Sequence, residues 1–134
     1  MTRLTLALAL LATPATAQVA PTGSPAADIL LSQAIAEHRV FLTCSALDTP
    51  THARILADWQ ADIASAQAIL SASATLPEAI TAFAKAADPA ALMPAPDAPW
   101  EDVQALCATH PDWRETYDRR DFVILGSRLG GALK

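Results

Sequence analysis

Three histidines, two cysteines and fourteen carboxylates have the widest chemical scope in this 134-residue chain, and their spacing decides what they can do. His38, His52 and His110 share no i, i+3 or i+4 relation, so no two form a ligand pair on one helix face. Asp58 and Asp62 stand four apart beside Trp59, a spacing that can bind a cation or perform acid/base work when a third group converges on it. With His38 as that group, a small enzyme or metal protein is one reading. Against it, fourteen acids make two carboxylates on a solvated helix face an ordinary occurrence, and no third ligand of matching spacing lies nearby. His38 falls on an apolar stripe, where a satisfied, partly buried imidazole is expected. His52 sits in a first helical turn, where a cation opposes the helix dipole, so an exposed neutral ring is expected. His110 precedes Pro111 at a helix end, a structural position.

Other chemistry finds less support. None of the serines occupies a G-x-S-x-G elbow. Gly126 to Gly131 has a glycine-rich look but lacks the preceding strand, the following helix and the Gly-Lys-Ser/Thr ending of a phosphate loop. No catalytic constellation, metal site or cofactor motif is therefore expected. The stretch from Trp113 to Asp121 stands out differently: Arg114 with Asp118, and Glu115 with Arg119, make i, i+4 pairs. Trp113, Arg114, Tyr117 and Arg120 also lie within two turns, and Trp, Tyr and Arg dominate protein interfaces. A solvated helix face is the plain reading; a partner-binding patch is the functional one, and Trp100 either extends it or covers the core.

The amino terminus reads as an address. Met1-Thr2-Arg3 is a short basic start, Leu4 to Ala12 is apolar, and Ala15-Thr16-Ala17 supplies the small residues of a cleavage site. Residues 1–17 are thus expected to be a secretory signal peptide. The apolar run is shorter than the roughly 20 residues that cross a bilayer, and no cysteine stands at the cleavage point to accept a lipid. Export to the periplasm or beyond follows, leaving a mature chain that starts near Gln18. Cys44 and Cys107 are the only cysteines, and an oxidising compartment favours a disulfide between them over a buried thiol pair or a metal site. The net charge of −5 leaves no electrostatic footprint for nucleic acid or an anionic membrane.

The elements that would position these residues are helical. Alanine occurs 31 times and asparagine never, a composition that favours helix. Residues 18–27 form a flexible lead, and 28–134 a single helical domain. From Asp28 to about Leu47, apolar residues recur at spacings of three and four. Asp48 or Thr49 can cap a second helix from Pro50 to about Ala72, with Ile55, Trp59, Ile63, Ala66 and Leu70 on one stripe. Thr75 to Glu78 has the form of a capping box, which starts a short helix that Pro89 stops. Four prolines between Asp88 and Pro99 predict an extended connection. A helix carrying Trp100, Val103, Leu106 and Cys107 follows, then one from Pro111-Asp112 through Trp113, Tyr117, Ile124 and Leu125, with Gly126, Gly130 and Gly131 capping or fraying the end. Phe122 to Leu125 is compatible with a strand but has no partner.

The expected fold is all-α, a small irregular antiparallel bundle of four or five helices with one disulfide. The expected role is a small exported protein that binds a partner in the cell envelope or supports an assembly. A carrier holding a small apolar ligand between its helices is the alternative.

Overall fold

The computed structural model describes residues 20–120 and 124–134. The expected signal peptide, and Phe122 of the β-compatible stretch, lie outside these residues. The described chain is all-helical, but with seven helices and not four or five: α1 (Pro25–Cys44), α2 (Thr49–Ala72), α3 (Pro77–Ala87), α4 (Pro89–Leu92), α5 (Trp100–Ala108), α6 (Trp113–Arg119) and α7 (Ile124–Ala132).

The long helices start on side-chain caps. Ser24 Oγ accepts from the Ala27 amide and Pro25 occupies the first turn of α1, so the helix begins inside the expected flexible lead. That lead is tied down further: Thr22 donates to Asp28 Oδ1 from both its amide (2.9 Å) and its hydroxyl (2.8 Å). The intervening Gly23 takes φ +95°, a conformation open to glycine and strained for other residues. Asp48 caps α2 by accepting from Thr51. The capping box does not form at α3, which starts on Leu76 without a side-chain cap, while Thr75 Oγ1 bonds Ser73 Oγ instead.

Two corrections account for the extra helices. Within the proline-rich connection, Asp88 accepts from the Ala90 amide and Leu92 is fully buried, so one turn of helix, α4, is pinned against α1 and α3. At the carboxyl terminus the glycines do not act as caps: Gly126, Gly130 and Gly131 lie inside α7. Leu125 and Leu129, at i and i+4, are both completely buried, and α7 packs against α2 and α1. Burial outweighs the roughly 1 kcal/mol by which each helical glycine is disfavoured. Gly126 faces Ser65, whose Cβ lies 3.9 Å from where a Cβ at 126 would sit.

The core joins Leu31 and Leu42 of α1, Ile55 and Trp59 of α2, Phe83 of α3 and the leucines of α7. The chain turns back between α1 and α2 through residues 45–48, held by the Asp48 amide donating to the Ser45 carbonyl. Cys44 and Cys107 are disulfide-bonded, with Cα atoms 5.6 Å apart, and fasten the end of α1 to α5. Both cysteines are half-buried, so the bridge lies at the edge of the core.

Candidate functional site

A buried polar cluster lies where α1, α2 and the end of α6 meet. On α1, His38 is 2% exposed; on α2, Trp59 is fully buried and Asp62 is 4% exposed. Arg120, the residue that ends α6, has extended backbone (φ −69°, ψ 137°), which turns its side chain inward and leaves it 5% exposed. The guanidinium bridges the two long helices, with Nη1 at 2.6 Å from Glu37 Oε2 and Nη2 at 3.7 Å from Asp62 Oδ2. The imidazole of His38 stacks on the Trp59 indole, centroids 3.9 Å apart and planes 17° apart, with Phe41 edge-on. The Trp59 indole N–H donates to the Ala87 carbonyl at 2.8 Å.

The protonation of His38 follows from these neighbours. Nδ1 lies 2.7 Å from the Ala34 carbonyl, which can only accept, so Nδ1 carries the proton. Arg120 Nη1 stands 3.2 Å from the same nitrogen, and a second donor there opposes any further positive charge. Burial, and then the Arg120 cation, lower the His38 pKa to about 3 from 6.5. The sign of the pH dependence is fixed by this depression. Below 6.5 the unfolded chain binds a proton that the native state refuses until about pH 3, so stability falls as pH falls through that window. The slope from this one group is at most about 1.4 kcal/mol per pH unit. His38→Phe keeps an aromatic ring on Trp59 and removes the titration. Its urea midpoint should therefore fall less than the wild-type midpoint between pH 7 and pH 4; parallel curves would refute the assignment.

A second contact ties α6 to α2. The fully buried Tyr117 donates its hydroxyl to Asp58 Oδ2 at 2.5 Å, and the Arg54 guanidinium lies 5.3 Å from the ring centroid. Burial, then the Asp58 carboxylate, push the phenol upward. His38, Asp58 and Asp62 thus converge on one junction, but each is engaged: His38 by Ala34 and Trp59, Asp58 by Tyr117, Asp62 by Arg120. Among the described residues no group of three or more His, Cys, Asp or Glu is placed to hold a metal ion.

The four residues of the expected patch are divided between core and surface. Tyr117 and Arg120 point inward, as above. Trp113 is half-buried and packs on the core, while Arg114 is exposed, with its guanidinium 4.8 Å from the Trp113 centroid. Arg114 pairs with Asp48 at 2.9 Å and not with Asp118, which pairs with Arg54; Glu115 does pair with Arg119. The Thr51 hydroxyl, then Arg114, hold the Asp48 carboxyl below its usual range. His52 is half-buried, contrary to expectation, and bonds Ser45 Oγ through Nδ1 at 2.9 Å. No sequence motif marks this Ser/His pair. Ser45 is fully buried, so its hydroxyl fastens the α1–α2 turn and meets no substrate. His110 is exposed beside Thr109 and the Leu106 carbonyl, at the end of α5.

The surface has open grooves along α1. One, of about 360 Å³, runs between α1 and α5 over Cys44, Leu47, Trp100, Val103 and Cys107. A second, of about 200 Å³, lies between Arg39, Leu92, Met93, Val103 and Leu106. A third, of about 210 Å³, has Glu37, Val40, Phe41, His110 and Trp113 in its walls. Trp100 stands in the first of these and is 52% exposed; Leu47 across from it is 80% exposed. No protein-family model, curated protein or solved structure matches this chain.

Proposed function

We propose that this chain is an exported helical binding module whose contact surface is the groove between α1 and α5. The supporting observation is α5 itself. It has no buried residue, it is fastened to α1 by the disulfide, and it holds Trp100 outward beside the exposed Leu47. A helix that adds little to the core and displays a tryptophan suits recognition, because aromatic anchors carry a large share of interface energy. Export is supported by the basic, apolar and small-residue order of positions 1–17, and by a disulfide that belongs to oxidising compartments. No helix among the described residues is long and apolar enough to cross a membrane.

The test is site-directed photo-crosslinking in the exporting cell. A benzophenone side chain in place of the exposed Gln104, which lines the groove, should yield a discrete adduct that Trp100→Ala diminishes. The same group in place of the exposed Gln60 on α2 should yield none. Adducts of equal yield from both positions, or from neither, would defeat the proposal.

A further inference from the structure

We propose that the α1–α5 groove receives a cationic, apolar segment of a partner protein, an inference that rests on the binding reading above. The argument is one of charge complementarity around an apolar floor. Residues 40–53 and 86–113 build the end of α1, the turn after it, α4, α5 and their connections. These two stretches contain six carboxylates and neither lysine nor arginine. Asp48 is taken by Arg114, and Asp88 caps α4. Asp97, Glu101 and Asp102 are exposed and make no ion pair among the described residues. Elsewhere the guanidiniums of Arg54, Arg114, Arg119 and Arg120 are all matched by acids, so the imbalance is concentrated on the α5 side. Arg39 stands in the second groove, where it donates to the Ala91 carbonyl.

An aromatic face next to unpaired carboxylates suits a lysine or arginine side chain. The stem lies along the indole, the charge interacts with the ring quadrupole, and the head group reaches Glu101 or Asp102. Leu47 and Val103 then receive the aliphatic residues between successive cations. Other occupants fit less well. A second copy meeting groove to groove would bring the same carboxylates face to face, and an anionic membrane or nucleic acid would be repelled.

The experiment measures anisotropy of labelled model peptides against the disulfide-bonded protein. A Leu/Lys amphipathic peptide should bind, more weakly as salt is raised, and its Leu/Glu counterpart should not. Trp100→Ala should weaken binding of the Leu/Lys peptide about tenfold or more. The triple variant Asp97→Asn, Glu101→Gln, Asp102→Asn should do likewise without moving the unfolding midpoint, whereas Glu78→Gln on α3 should leave binding unchanged. Equal binding of both peptides, sensitive to Trp100→Ala, would keep the groove as a contact surface and overturn its cationic preference. Absence of binding, or binding indifferent to Trp100→Ala, would overturn both. Self-association in sedimentation that Trp100→Ala abolishes would assign the groove to a second copy and overturn the proposal.

Discussion

Replacing both cysteines, as Cys44→Ala with Cys107→Ala, should lower stability by about 4 kcal/mol, the chain-entropy value for a bridge between positions 63 apart. Domains of this size have only about 5–15 kcal/mol in total, so the loss is large. Its location matters as much as its size. Since α5 contributes no buried residue, the bond and the packing against α1 are its main attachments. Amide exchange in the disulfide-free protein should therefore become fast first over residues 100–108, while the amides around Trp59 stay protected. The groove should disappear with α5, and with it any partner contact made through Trp100. An unchanged urea midpoint together with protected α5 amides would contradict this account.

Arg120→Met should be nearly as damaging, at about 3–5 kcal/mol, because it leaves the Asp62 carboxylate inside the protein without its cation. Glu37, half exposed, can turn to water and adds little to the loss. The informative partner is the double variant Arg120→Met with Asp62→Leu. Apolar replacement of a buried pair is often neutral or stabilising, so the double variant should recover most of the stability that the single one loses. Urea denaturation of the wild type, both single variants and the double variant closes the cycle. A single Arg120→Met within about 0.5 kcal/mol of wild type would show that the bridge does not hold α1 to α2.

Neither Arg120 nor Asp62 is apparent from periodicity, for different reasons. The stripe of α2 runs Ile55, Trp59, Asp62, Ala66 and Leu70, at spacings of four, three, four and four. Hydrophobicity alone places Ile63 there, because a carboxylate is assigned to the solvent side; Ile63 is only partly buried. A strictly geometric reading of the stripe could have found Asp62. Arg120 carried no such signal. It follows an amphipathic helix whose i, i+4 charges point to a solvated face, and only the switch to extended backbone after Arg119 turns it inward. His38 is where its stripe predicts. The two long helices were legible because their apolar spacing persists over five or six turns, and the disulfide because two cysteines in an exported chain have one pairing. The last helix was not, since three glycines argue against it locally and only the burial of Leu125 and Leu129 against distant helices reverses that preference.

The Ser24 hydroxyl, besides accepting from Ala27, donates to the Ala132 carbonyl at 2.5 Å. The two extremities of the folded part therefore touch, and the polypeptide closes on itself like a buckled belt. Pulling on both ends would load this clasp before any of the interior, peeling α7 away from the start of α1. The same neighbourhood would let a short tether join positions 24 and 132, with the opening moved to the proline-rich stretch between α4 and α5.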